Sequence, residues 1–128
     1  MREIEVVKKV ESQLKAKARY YNNNHGSVFS KNGTPDFITN DKDGYYLAIE
    51  VKAPKKTPYA NQYRRALEIL ISGGRFVVAQ DDFSLNKTDN HDLPIVEIKE
   101  IEIGKTEFEL LDLTLNCTTE FIYVRKDF

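Results

Sequence analysis

From Glu3 to about Asn22, apolar residues return at spacings of three and four: Val7, Val10, Leu14, Ala18 and Tyr21. At about 100° per residue these positions share one face, which predicts an amphipathic helix. The run Asn22-Asn23-Asn24-His25-Gly26 predicts the helix stop and a turn, with Gly26 as the cap. Ser27–Ser30 reads as a short strand and Lys31-Asn32-Gly33 as a turn. Pro35 keeps Thr34 out of helical geometry, so Asp36-Phe37-Ile38-Thr39 begins extended. Asp41-Lys42-Asp43-Gly44 predicts a hairpin turn. The nearly unbroken apolar run Tyr45–Val51 then predicts a central strand covered on both faces. Ala53-Pro54 ends it, a second helix runs from about Pro58 to Ser72, and Gly73-Gly74 closes that helix. Arg75–Gln80 predicts another buried strand, and the polar residues 81–92 a loop. Ile95–Ile103, Phe108–Leu115 and Phe121–Val124 are strand-like pieces. The order helix, strands, helix, strand predicts an α/β domain around a mixed sheet.

A chain of 128 residues fits a single domain, and 41% hydrophobic residues supply a core for it. No run approaches the roughly 18–20 apolar residues of a membrane span. The charged N-terminal helix is no secretory signal. The lone cysteine, Cys117, excludes an internal disulfide and a cysteine-rich zinc site. A cytoplasmic, reducing setting is the expectation. Net charge is −1, but it is unevenly placed. Residues 1–80 carry 14 Lys and Arg against 8 Asp and Glu, whereas residues 81–128 carry 5 against 12. The first part, at +6, attracts a polyanion and the last, at −7, repels one. A core of residues 1–80 and an acidic, β-rich extension of residues 81–128 is the expected organisation.

Candidate chemistry lies where polar side chains interrupt apolar pattern. Glu50 and Lys52, two residues apart on a strand, point to one face of a run expected to be buried. A buried carboxylate is costly unless it is paired or binds a metal. Asp36 opens the preceding strand and falls beside Glu50 across the ladder. Two adjacent carboxylates repel each other, and a divalent cation relieves that repulsion. Mg²⁺, with hard oxygen ligands and retained waters, suits such a pair. An ammonium at Lys52 would then orient a water or offset charge on a reacting phosphate. The bland alternative is a surface Asp on a turn and a Glu–Lys pair at a strand end. On the first helix Glu11 falls inside the apolar stripe, where it either snorkels to an edge or points into a site. On the second, Gln62 falls with Tyr59, Ala66, Ile69 and Leu70 and so faces inward. Lys8, Lys15 and Arg19 form a stripe beside Glu11 that is either a solvated face or a phosphate-contacting one, and Lys55 and Lys56 add two cations just past the strand. His25 and His91, 66 residues apart, read as turn residues. Cys117 reads as a small core residue, and Tyr20, Tyr21, Tyr45, Tyr46 and Tyr59 as core packing.

Gly33-Thr34-Pro35-Asp36, Glu50-Val51-Lys52-Ala53-Pro54 and the downstream Gln62 resemble the PD-(D/E)XK nuclease superfamily, most closely its virus-type replication-repair (VRR-NUC) branch. That branch carries a helical Glu, G-x-P-D, E-x-K and a later Gln, and Glu11 is matched to its helical Glu. The resemblance covers roughly residues 3–80. It implies a restriction-endonuclease-like core, a central mixed β-sheet flanked by helices, with residues 81–128 as a β-rich extension. It also implies that Asp36, Glu50, the Val51 carbonyl and Glu11 hold Mg²⁺, with Mn²⁺ as a substitute. Lys52 would assist the attacking water, and Gln62 would position Lys52 or the phosphate. The activity implied is metal-dependent DNA cleavage. Stand-alone phage and bacterial members of the branch are associated with branched DNA, and some act as homodimers on four-way junctions. A sequence-specific restriction-type enzyme and a non-cleaving DNA-binding derivative are the alternatives.

Overall fold

Val6, Val7, Val10 and Leu14 are buried along one side of the first helix, α1 (Glu3–Ala16), and this stripe seats it on the sheet. Glu3 and Glu5 in its first turn and Lys15 in its last complement the helix dipole. The structure is a computed structural model that describes residues 2–26, 34–54, 56, 62, 65, 66, 68, 69, 72–90, 95–98 and 121–125. α1 ends six residues before the expected stop. Ala18 adopts φ 53°, Ala18 N–H donates to the Lys15 carbonyl, and Arg19 N–H to the Leu14 carbonyl. That is a Schellman closure, with alanine in the left-handed position glycine usually takes. Asn22–Asn23, freed from the helix, form strand β1.

β1 pairs antiparallel with β2 (Phe37–Asn40), and β2 pairs antiparallel with β3 (Tyr46–Val51). The expected turn joins β2 and β3. The buried Asp41 carboxylate accepts from the N–H groups of Asp43 and Tyr45, and Gly44 closes the turn at φ 88°. Arg75 pairs with Asp41 from below and lies over the Tyr45 ring, 4.3 Å from its centre. Gln62, Arg65, Ala66, Glu68 and Ile69 have helical backbone, as expected for the second helix. Gly73, at φ 93°, lets Gly74 N–H return to the Ile69 carbonyl and end that helix. β4 (Arg75–Ala79) then runs parallel to β3.

Residues 81–92 depart from the expected loop, because a short helix, α2 (Leu85–Asp89), lies within them. Ser84 caps it by accepting from Lys87 N–H, and Phe83 and Leu85 enter the core. The Gln13 side chain clamps this turn to α1, donating to the Phe83 carbonyl at 2.8 Å and accepting from Leu85 N–H at 2.7 Å. Two apolar residues are too few to show a helical period, which is why the pattern missed the element. β5 (Ile95–Ile98) falls within an expected strand piece, and β6 (Phe121–Arg125) covers another and runs one residue past it. β6 pairs antiparallel with β4 and parallel with β5, so the sheet order is β1-β2-β3-β4-β6-β5. The result is an α/β domain with a mixed sheet and flanking helices. Ser27–Ser30, the 31–33 turn and Phe108–Leu115 lie outside the described residues, as do the expected start of the second helix and the last five residues of Ile95–Ile103.

Leu47, Ile49 and Val51 on β3, with Val77 and Ala79 on β4, join the α1 stripe, Phe37, Phe83 and Leu85 in one apolar cluster. Alternation places Ala48, Glu50, Val78 and Gln80 on the other face of the sheet. No helix among the described residues is long and apolar enough to cross a membrane.

Candidate metal and phosphate site

The site lies at the carboxyl ends of the parallel pair β3 and β4, where side chains of both strands leave the sheet. Phe37 is opposite Ile49 in the β2–β3 register, so one further step sets Asp36 opposite Glu50. Val51 N–H donates to Asp36 Oδ2 at 2.8 Å, which fixes the aspartate against the strand end. Lys52 N–H donates to the Ala79 carbonyl at 2.9 Å and so carries the β3–β4 alignment one residue past Val51. The expected juxtaposition of Asp36, Glu50 and Lys52 is therefore present.

Glu50 is 2% exposed and Lys52 6%. Glu50 Oε1 accepts from Gln62 Nε2 at 2.7 Å and lies 4.0 Å from Lys52 Nζ. Glu50 Oε2 is buried without a hydrogen-bond partner. Burial pushes the Glu50 carboxyl up to about 10, and the nearby Asp36 charge pushes the same way, against the weaker pull of Lys52. A carboxylate so placed is stable when it holds a proton or faces a cation. The orphaned Oε2 of a glutamate opposite Asp36 suits a hard divalent ion, for which Asp36, Glu50 and the Val51 carbonyl would be the oxygen donors. Among the described residues no group of three or more His, Cys, Asp or Glu is gathered closely enough to hold a metal. With two carboxylates and a carbonyl, a cation here would take few protein ligands and keep waters, as Mg²⁺ does.

Glu11 does not join this group. Its Oε2 accepts from Asn23 Nδ2 at 3.2 Å, and its Oε1 lies 3.7 Å from Lys15 Nζ. Glu3, at the start of α1, adds the smallest of the contributions that raise the Glu50 carboxyl, after burial and Asp36. Eight residues of helix rise separate Glu3 from Glu11, about 12 Å, so one site cannot engage both directly. Glu3 escaped the sequence reading because a glutamate in a first turn is also what a helix dipole favours. The His25 ring nitrogen Nε2 lies 3.0 Å from Glu3 Oε2, while His25 N–H donates to Asn23 Oδ1 within its turn. Gln80 also escaped it. This residue is 3% exposed, follows β4 directly, and its Oε1 is the other buried acceptor among the described residues without a partner.

The expected phosphate-contacting cations divide. Lys8, Lys15 and Lys56 are exposed. Arg19 is not available, because its guanidinium pairs with the buried Asp89 and donates to the Asn40 carbonyl at 2.8 Å. The early helix stop turns Arg19 away from the Lys8–Lys15 stripe and makes it a strap between the α1 end, the β2–β3 turn and α2. Lys55, His91, Cys117 and Tyr59 lie outside the described residues. Tyr21 packs on Phe37, but Tyr20, Tyr45 and Tyr46 are exposed rather than core residues.

Comparisons with models of protein families, with curated proteins and with solved structures find no match for this chain. The functional reading therefore rests on the residues and their arrangement.

Proposed function

We propose that this chain is a metal-dependent endodeoxyribonuclease with a restriction-endonuclease-like core of the VRR-NUC kind. The observation that carries the reading is the buried Glu50 carboxylate, opposite Asp36 in the ladder, with one oxygen on Gln62 and near Lys52 and the other without a partner. A structural glutamate in an apolar sheet would have both oxygens satisfied or be replaced by an apolar residue. The order α1, three antiparallel strands, helical backbone and a parallel strand also agrees with what the motif resemblance implies.

Asp36 and Glu50, with the Val51 carbonyl, would hold Mg²⁺ or Mn²⁺. When bound, the ion supplies a Lewis acid that polarises a phosphoryl oxygen and eases deprotonation of water. Gln62 fixes Glu50 Oε1, so the carboxylate presents Oε2 in one orientation. Lys52, buried on the same face, offsets the negative charge that builds on the phosphate as water attacks. The water oxygen forms a bond to phosphorus, the phosphorus bond to the leaving oxygen breaks, and that oxygen takes up a proton. Lys8, Lys15 and Lys56 supply charge for the DNA backbone. Branched DNA is the proposed substrate class, and a cytoplasmic homodimer the proposed working form.

A labelled panel of single strand, duplex, flap and four-way junction, incubated with Mg²⁺, Mn²⁺ or EDTA, tests the activity. Cleavage is expected with either ion and absent with EDTA. Asp36→Ala, Glu50→Ala and Lys52→Ala should each lower the rate about 100-fold or more while the fold persists. Near-normal cleavage by Glu50→Ala would overturn the site, and an inert wild type on every substrate would leave a DNA-binding derivative as the reading. Light scattering checks the assembly, with a two-chain mass expected at micromolar concentration. β5, at one end of the sheet order, is the edge on which two copies would meet.

A further inference from the structure

A cleft of about 580 Å³ opens between the β2–β3 turn and the end of the second helix, with Tyr45 and Tyr46 on its strand side. Tyr46 stands four residues before Glu50 on β3, about 13 Å along the strand, so the cleft is at the opposite end of the sheet from the candidate metal site. The two tyrosines are 50% and 43% exposed, and neither joins the main apolar cluster. Gly74 lets Tyr46 lie against the helix end. A Cβ at that position would stand 2.8 Å from Ile69 Cγ2 and 3.1 Å from Tyr46 Cδ1.

The polar groups of the cleft are of one kind. Glu68 brings a carboxylate to it. The Ser72 hydroxyl donates its hydrogen to the Ile69 carbonyl at 2.8 Å, which leaves its lone pairs to accept. The second helix ends here, so the negative pole of its dipole faces the same space. No lysine or arginine is among the lining residues. The cations nearby are already engaged. Arg75, over the Tyr45 ring, is matched by Asp41 and by Asp43 at 3.8 Å, and Lys42 Nζ donates to Asn90 Oδ1 at 2.9 Å. Arg65 Nη1 lies 2.6 Å from Glu68 Oε2, but exposed pairs of this type contribute little, and an incoming cation displaces or shares it.

Tyrosine faces and acceptor groups together favour a cation that donates hydrogen bonds. A DNA phosphate is the wrong charge. A planar guanidinium can lie on a tyrosine ring and fork onto a carboxylate, which an ammonium cannot do. A free amino acid would bring a carboxylate that no lining cation meets, whereas a residue within a peptide brings none. We propose that this cleft is a docking site for an arginine side chain of a partner protein. The site is separate from the Asp36–Glu50 group and does not rest on the nuclease reading.

Titration of N-acetyl-arginine amide into the isotope-labelled full chain tests it. The amide signals of Gly44, Gly73 and Gly74 should shift and saturate at millimolar probe. N-acetyl-citrulline amide, which has the same shape without the charge, should bind about tenfold or more weakly. Glu68→Gln, an exposed substitution that leaves the rest of the spectrum in place, should weaken the arginine probe to a similar degree. Unshifted glycine signals, equal binding of the citrulline probe, or undiminished binding by Glu68→Gln overturns the proposal. Free arginine that binds more tightly than the capped form would also overturn it, by making the ligand a metabolite. So would a short single-stranded oligonucleotide that shifts the same glycines more strongly, by making the cleft a base-stacking site.

Discussion

With no cation beside it, Glu50 keeps its proton up to about pH 10, far above the ordinary carboxylate value of 4.5. The cause is loss of water first and Asp36 second, and one ammonium 4.0 Å away is too weak a counterweight. Between those two values the folded chain binds a proton that the unfolded chain has released, so stability must fall as pH rises through that window. The contribution is fully present below about pH 4.5 and lost by about pH 10. Urea midpoints of the metal-free protein at about pH 6 and about pH 9 should show the decline, and Glu50→Gln should flatten it. Saturating Mn²⁺ should also flatten it, because an ion that displaces the proton takes over its role. A wild-type midpoint independent of pH would mean that Glu50 ionises freely. The Glu50 anomaly was legible in sequence, because a carboxylate in an apolar run breaks a strict pattern. Gln80 was not, since a glutamine ending a strand looks like an ordinary exit to solvent.

At the scale of elements, α1 shows where periodicity succeeds and where it stops. Its buried stripe was readable because the sheet beneath demands apolar residues at helical spacing. Its end was not, because Ala18 and Tyr21 continue the period past the point where the backbone turns left-handed. What holds that turn is non-local. Arg19 reaches the Asn40 carbonyl and Asp89, and Asp89 also accepts from Lys42 N–H at 3.1 Å. Losing one partner of such a buried pair costs about 3–5 kcal/mol, far more than a surface lysine is worth. The same helix decides between Glu3 and Glu11. Glu3→Gln should alter cleavage and cation affinity, since it removes a charge that acts on Glu50. Glu11→Gln should leave both within about twofold, because an i,i+4 partner and a nearby asparagine are worth only a few tenths of a kcal/mol. Parallel Mn²⁺ titrations and cleavage rates on the two variants check this. A silent Glu3→Gln together with an impaired Glu11→Gln would restore the motif alignment that the geometry displaces.

For the whole molecule, the +6 and −7 halves suggest a boundary near Gln80, but the packing does not respect it. Phe83 and Leu85, just past that point, are 2% and 1% exposed within the main apolar cluster. Asp89 is the buried partner of Arg19, and β6 covers the free edge of β4. Through β5 and β6 the acidic segment thus extends this chain's own sheet. Charge arithmetic could not show this, because it records sign along the chain and not which residues face inward. A chain ending at Gln80 would forfeit the core side chains of Phe83 and Leu85, at about 2–5 kcal/mol each, and leave Arg19 without its counterion, at about 3–5 kcal/mol. Together these rival the entire stability of a small domain, about 5–15 kcal/mol, before the lost β4 pairing is counted. The truncated chain should show no cooperative thermal transition and a collapsed spread of amide proton shifts, while the full chain unfolds in a single step. A truncated chain that melts cooperatively and still binds Mn²⁺ would instead make residues 1–80 an independent nuclease core and return the acidic segment to a purely assembly role.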